Sequence, residues 1–246
     1  MKVIVIGSNG YMGKEVIALL EKGVMGSSLA AAVDINVPAS CNYPTYTSPD
    51  DIIEDADVII DFSHHSITKD VMHFAVSRGI PVVMATTGHS EDEKEYILKA
   101  SKSIPVFMSA NMSLGVALLV ELAKNVAKTM PEADIEIVET HHNRKLDAPS
   151  GTALLIANAI KEVREKAQLI FGREGKRQSG EIGISAVRRG NIVGIHEVLV
   201  STDSQTITLK HEAHSRALFA EGAISAASFI ADKDAGLYNM NDMVGK

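Results

Sequence analysis

Val3-Ile4-Val5-Ile6-Gly7-Ser8-Asn9-Gly10-Tyr11-Met12-Gly13 is the stretch that decides the fold. Val3 to Ile6 is a short, β-branched apolar run, the mark of a strand buried on both faces. Three glycines follow as G-x-x-G-x-x-G. Beyond them Val16, Leu19 and Leu20 fall on one face of a helix between Glu15 and Glu21. A strand, a glycine turn and a helix in that order leave backbone N–H groups to cradle a pyrophosphate at the helix N-terminus. Asn9 stands where the commoner G-x-G-x-x-G fingerprint has its second glycine, and Asn is among the few residues that tolerate positive φ. Gly10 fits close approach of a phosphate and Gly13 the packing of helix on strand. Three glycines alone serve a tight turn equally well. Asp34 tips the balance, ending the next strand about 20 residues on, where an acid bonds the adenosine ribose hydroxyls.

Outward from this unit, strands and helices alternate. Leu29 to Val33, Asp57 to Asp61, Ile80 to Met84 and Ile104 to Met108 read as strands, with helices over His64 to Arg78 and from Ser90 onward. That alternation predicts a parallel sheet covered on both faces. The pattern then changes. Leu114 to Met130 is a long helix stopped by Pro131, Asp134 to His141 a strand, and Ala153 to Lys166 a helix. Glu181 to Arg189, Ile192 to Ser201 and Gln205 to Glu212 are consecutive strands without crossover helices, and Gly190-Asn191 suits a tight hairpin between the first two. Arg216 to Ile230 is Ala-rich and helical. The class is α/β: a Rossmann-like parallel-sheet domain plus an α+β domain with a largely antiparallel or mixed sheet.

The 246 residues are enough for one large domain or two modest ones. A formal charge of −7 argues against nucleic-acid and anionic-membrane partners. Tryptophan is absent and aromatics are 4%, so stacking platforms for single-stranded nucleic acid are not expected. No targeting segment or membrane span is visible, and the single cysteine, Cys41, suits a reducing cytoplasm.

The chemistry concentrates in Glu139-Thr140-His141-His142-Asn143-Arg144-Lys145-Leu146-Asp147-Ala148-Pro149-Ser150-Gly151-Thr152-Ala153. Two histidines and two cations close a strand, and Ser-Gly-Thr opens a helix. Free N–H groups and hydroxyls there suit a carboxylate or phosphate. Lys145 adds a full positive charge, and a histidine supplies a proton near neutral pH. An isolated Ser-Gly-Thr would be no more than a helix cap; the whole segment describes a site for a small acidic substrate with one protonation step. No metal is expected: His64-His65 and His141-His142 are adjacent pairs whose members face opposite ways on a strand. No G-x-S-x-G elbow is present, and Cys41 has no obvious histidine partner.

The pattern E-x-H-H-x-x-K-x-D-A-P-S-G-T-A, Glu139 to Ala153, resembles the signature of the dihydrodipicolinate reductase family. Asp61-Phe62-Ser63, Ala85-Thr86-Thr87-Gly88, Ser109-Ala110-Asn111-Met112-Ser113, and Arg188-Arg189-Gly190 with Gly194-Ile195-His196-Glu197 resemble further family segments along nearly the whole chain. The resemblance implies NAD(P)H-dependent reduction of 4-hydroxy-tetrahydrodipicolinate (dihydrodipicolinate) to tetrahydrodipicolinate in lysine and diaminopimelate biosynthesis. It implies a dinucleotide-binding domain over 1–111 and 217–246, a substrate-binding and oligomerisation domain over 112–216, and a cytoplasmic homotetramer.

Carried over by resemblance, His141 is the proton donor and Lys145 a second catalytic donor. His142, Gly151 and Thr152 bind substrate carboxylates. Gly7, Ser8, Asn9, Gly10, Tyr11 and Met12 wrap the pyrophosphate and Asp34 the adenosine ribose. Ala85, Thr86 and Thr87, with Ser109, Ala110, Asn111 and Met112, lie near the nicotinamide. Three departures from the family pattern stand out. Tyr11 stands where many members have arginine, and Ile35-Asn36 follow Asp34 where an arginine would hold a 2′-phosphate; both lean towards NADH, though Lys14 is close in sequence. Ala85 replaces the first glycine of a G-T-T-G loop. Two other readings compete: a related amino- or imino-acid dehydrogenase on the same fold, and a catalytically inactive nucleotide sensor. Retention of His141 and Lys145 weighs against the sensor.

Overall fold

The structure, a computed structural model of the chain, describes residues 1–36 and 41–245. In chain order the strands and α-helices are β1 (Lys2–Ile6), α1 (Tyr11–Glu21), β2 (Ser28–Val33), β3 (Thr45–Tyr46), β4 (Val58–Asp61), α2 (Thr68–Arg78), β5 (Val82–Met84), α3 (Glu91–Ala100) and β6 (Pro105–Met108). They continue as α4 (Leu114–Thr129), β7 (Asp134–His141), α5 (Gly151–Val163), β8 (Gln168–Phe171), β9 (Glu181–Arg188), β10 (Gly194–Ser201), β11 (Thr206–Ala213), α6 (Ala217–Ile230), β12 (Gly236–Tyr238) and α7 (Met240–Val244). The chain divides into two units, Met1–Ser113 with Ala217–Val244, and Leu114–Arg216.

The first unit holds a parallel seven-stranded sheet in the order β12-β6-β5-β4-β1-β2-β3. The order reverses between β1 and β4, and in such sheets ligands bind outside the carboxyl ends of the strands at that point. Val3 to Ile6 are fully buried, as a strand covered on both faces requires. Ile4, Ile6, Ile59, Val82 and Val106 pack with Val71, Phe74 and Ala75 of α2 and Ile97 of α3. Burying each such large aliphatic side chain is worth about 1.5–3 kcal/mol. The Ala-rich α6 packs on α1 and on β4, β5 and β6. Its Gly222 is obligatory, because a Cβ there would lie 1.6 Å from the Met112 carbonyl oxygen. Ser90 and Glu93 form a reciprocal cap at the start of α3, which fixes where the loop after β5 ends.

The second unit holds a mixed five-stranded sheet, β11-β10-β7-β9-β8. β7 runs antiparallel to β10 and parallel to β9. This corrects the hairpin expected at Gly190-Asn191. The chain does turn there, with Gly190 at φ +53°, but β7 lies between β9 and β10. Alternation tells which face a side chain takes, not which strand lies beside it. β10 and β11 do pair as neighbours. Ile135 and Ile137 of β7, Ile182 and Ile184 of β9, and Val198 and Val200 of β10 pack against α4 and α5. On β7 that row continues to Glu139 and His141, and on β10 to His196, so one end of an apolar face turns polar.

Candidate active site

In the first unit the glycine turn closes as follows. Gly7 and Ser8 donate their N–H groups to the Val33 carbonyl at 2.9 and 3.1 Å, and Gly10 N–H to the Gly7 carbonyl at 3.1 Å. Gly7 takes φ +78°. A Cβ on it would sit 2.6 Å from the Phe62 backbone, and one on Gly13 2.1 Å from the Gly7 carbonyl oxygen. Both positions therefore exclude any side chain. Positive φ falls on Gly7 and not on Asn9, contrary to the expectation for Asn9. The Asn9 N–H is likewise not open to a phosphate, since it donates to Asp34 Oδ2 at 2.9 Å. Asp34 Oδ1 accepts from Asn36 N–H at 2.9 Å. The turn thus uses the aspartate to brace itself, and each carboxylate oxygen keeps a lone pair for a ligand hydroxyl. Gly10 caps α1 without a side-chain bond and the first turn carries no acid, which leaves its positive end suited to an anion.

Gly7, Asn9, Gly10, Asp34, Ile35 and Asn36 line one cavity of about 530 Å³. Its other walls include Ser48, Phe62, Ser63, His64 and Asp70, and among the described residues no lysine or arginine lines it. Lys14 is exposed and does not line it either. A dinucleotide's adenosine half fits the cavity chemically: glycines where a Cβ would obstruct, an acid for ribose hydroxyls, and, among the described residues, no lysine or arginine for a 2′-phosphate.

The Ala85–Thr87 and Ser109–Met112 segments follow β5 and β6, at the carboxyl edge of the same sheet, outside that cavity. Thr86 Oγ1 donates to the buried Asp61 carboxylate at 3.0 Å, and Ser63 N–H to the same group at 3.0 Å. Burial pushes the Asp61 carboxyl up, against these bonds. Ser109 Oγ donates to the Asn111 carbonyl at 2.8 Å, and Asn111 Oδ1 accepts from Ser113 N–H at 2.8 Å.

In the second unit β7 delivers His141 and α5 begins with Ser150 as its cap. The centre of the arrangement is Glu139, fully buried. It accepts from His141 Nδ1 at 2.5 Å, from Arg188 Nη1 and Nη2 at 2.8 and 2.7 Å, and from Ser150 N–H at 3.0 Å. Burial alone would raise its carboxyl. Arg188, His141 and the Ser150 amide outweigh burial and hold it below the ordinary carboxylate range. His196 lies beside it, its ring 5.2 Å from that of His141 at 72°, with Nε2 3.1 Å from Ser150 Oγ. Burial, assisted by His141, lowers the His196 pKa to about 4, so it is neutral at neutral pH. His142 is also pushed down, by burial and then by Arg144, Arg216, His141 and Lys145. Lys145 Nζ donates to Asp147 at 2.7 Å.

The second unit therefore gathers an acid–base imidazole, an exchangeable ammonium and a helix N-terminus, the parts needed to protonate a small anionic substrate. Glu139, Arg188 and His196 lie in the quoted motifs but carry no role that the sequence alone reveals. The available signal was a glutamate on the apolar row Ile135, Ile137, Glu139. Among the described residues no group of three or more His, Cys, Asp or Glu is arranged to hold a metal ion, and no helix is long and apolar enough to cross a membrane.

Family models described as "Dihydrodipicolinate reductase, N-terminus" and "Dihydrodipicolinate reductase, C-terminus" match residues 1–112 and 115–244. The chain belongs to the dihydrodipicolinate reductase family. Membership makes it a pyridine-nucleotide-dependent oxidoreductase. It is 47% identical over 250 residues to the 4-hydroxy-tetrahydrodipicolinate reductase of Caldanaerobacter subterraneus subsp. tengcongensis, covering 100% of this chain and 99% of that one. It is 41% identical over 249 residues to the enzyme of the same name from Clostridium perfringens strain SM101, covering 99% and 98%. Among solved structures, a dipicolinate-bound dihydrodipicolinate reductase from Paenisporosarcina sp. TG-14 shares the fold with a TM-score of 0.86 at 23% identity, covering 99% of both chains. An amine dehydrogenase from Mycobacterium smegmatis shares it more distantly, with a TM-score of 0.65 at 8% identity over 98% and 95%.

Proposed function

We propose that this reductase acts on the conjugated cyclic imine formed from 4-hydroxy-tetrahydrodipicolinate, in lysine and diaminopimelate biosynthesis, with NADH the favoured donor and His141 the proton donor. The observation that carries the reading is His141 at the end of β7, joined through Glu139 to the Ser150-capped start of α5, with Lys145 four residues on in the loop that follows. When bound, the nicotinamide supplies a hydride to one carbon of the imine. The enamine left behind needs a proton on the neighbouring carbon, and His141 delivers it. Lys145 leaves Asp147 for a substrate carboxylate; that ion pair is largely open to water on the aspartate side, so the exchange costs about 1 kcal/mol or less. Gly151 and Thr152 offer the helix N-terminus to the second carboxylate, with His142 alongside.

The first unit is the dinucleotide-binding domain in this reading and the second binds substrate. The turn Gly7 to Met12 offers the pyrophosphate the start of α1 rather than the Asn9 N–H, which stays on Asp34, and Asp34 holds the adenosine ribose, while Ala85 to Thr87 and Ser109 to Met112 serve the nicotinamide end. NADH preference rests on the cavity beside Asp34, where, among the described residues, two acids and no lysine or arginine would meet a 2′-phosphate. The exposed edge strand β11 supports assembly into a homotetramer, and the single cysteine supports a cytoplasmic setting.

The test mixes purified protein with NADH or NADPH and the freshly made product of dihydrodipicolinate synthase, following the nicotinamide absorbance band. Rapid oxidation, faster with NADH, is expected. Cofactor binding without oxidation would overturn the assignment.

A further inference from the structure

We propose that Glu139 is a positioning residue that fixes His141 in a single tautomer, with Nε2 left for proton delivery, and ties that imidazole to the first turn of α5. The inference rests on His141 being the proton donor, as read above.

An ionised carboxylate accepts hydrogen bonds and donates none. Glu139 is ionised, since Arg188, His141 and the Ser150 amide hold its carboxyl below the ordinary range against the effect of burial. The hydrogen on the 2.5 Å contact must therefore sit on His141 Nδ1. The neutral imidazole then has its lone pair on Nε2, the nitrogen that takes up and releases the catalytic proton. Arg188 holds the carboxylate with two nitrogens of its guanidinium, so the glutamate cannot rotate to release the imidazole. Strand pairing places these groups by construction: His141 lies opposite Arg188 on β9, and Glu139 opposite His196 on β10.

The fourth bond has a different consequence. Glu139 Oε1 accepts from Ser150 N–H at 3.0 Å, and Ser150 is the cap of α5, its Oγ accepting from Ala153 N–H at 3.3 Å. One carboxylate thus sets both the proton donor and the turn that presents Gly151 and Thr152. A glutamine in its place has one acceptor oxygen and an amide that must donate, so it cannot satisfy four donors. A purely structural ion pair between Glu139 and Arg188 would not require His141 to keep one tautomer.

The test begins with the unaltered full-length protein labelled with ¹⁵N-histidine, the His141 signals being identified by their loss in His141→Gln. Neutral His141 is expected as the Nδ1–H tautomer. Glu139→Gln is expected to shift His141 towards the Nε2–H form and to lower kcat by at least about 10², towards the roughly 10⁴ seen when a carboxylate that sets the tautomer of an acid–base histidine is made an amide. KM for NADH should stay within about twofold. An Nε2–H tautomer in the unaltered protein, or a folded Glu139→Gln enzyme with kcat within threefold, overturns the proposal. Should Glu139→Gln not fold, the tautomer in the unaltered protein still decides it. Failure of the underlying reading looks different: His141→Gln would keep its activity whatever tautomer is found.

Discussion

Replacing Gly194 by alanine tests the site's geometry without touching a polar group. A Cβ at this position lies 3.0 Å from His141 Nε2 and 3.5 Å from its Cδ2. Comfortable heavy-atom contact is about 3.5–4.0 Å, so the imidazole must retreat by a few tenths of an ångström. Its Nδ1 is already drawn to Glu139 at 2.5 Å, and the His196 ring stands beside it. There is no slack on either side. Overpacking of this kind costs about 1–3 kcal/mol of stability. A misplacement of about 1 Å can cost a factor of roughly 10² in rate, so a shift of a few tenths points to a fall in kcat of about tenfold. Gly194 belongs to the second unit, so NADH affinity, read by quenching of nicotinamide fluorescence, should not change. Steady-state turnover and urea unfolding measure the two effects. A stable Gly194→Ala enzyme with kcat within twofold of the parent would refute the placement of His141 Nε2 against this glycine.

Acidification should destabilise the second unit through His196. Its pKa is about 4 in the folded protein against 6.5 unfolded, so the unfolded chain binds the extra proton between those values. Stability is then fully present above about pH 6.5 and is lost as pH falls towards 4, by about 3 kcal/mol in all. Urea midpoints over that range should fall, and should fall less in His196→Gln; equal slopes would remove His196 as the cause. Asp34→Ala should raise KM for NADH about tenfold or more while leaving NADPH less affected, because the lost acceptor serves the free 2′-hydroxyl. An unchanged ratio of the two cofactors would take Asp34 out of the ribose site. His141→Gln should reduce kcat by at least about 10², the scale of general acid catalysis, with NADH affinity intact; parallel loss of both would mean a damaged fold.

The parallel sheet was legible because β1, β4 and β5 are short runs of buried aliphatic residues between helices of clear periodicity. β7 was legible to the residue because its apolar and polar residues alternate from Asp134. β3 and β12, of two and three residues, carry too few side chains to show a period. The order of strands in the second sheet was hidden, since pairing of β7 with both β9 and β10 is settled by tertiary packing. His141 and Lys145, the proposed proton donor and its companion, stood out as polar groups clustered at a strand end. What holds them did not, because Arg188 and His196 reach Glu139 and Ser150 from strands far along the chain. Asn9 was misjudged on conformational tolerance alone. The tight approach of Gly7 to the Phe62 backbone concentrates the left-handed geometry at the glycine instead.

The connectivity of the seven-stranded sheet has a consequence for synthesis on the ribosome. β12 completes the sheet by pairing with β6, and α6 fits its Gly222 beneath the Met112 carbonyl, yet both elements follow the whole of Leu114–Arg216 in the chain. While that insertion is being made, the nascent first unit keeps an open β6 edge and an apolar surface awaiting α6. Such edges recruit other strands. The later-made half, whose sheet and helices are continuous in sequence, finishes folding first. Chaperone dependence in this enzyme should therefore be concentrated in its earliest residues, and should end only when the last helices emerge.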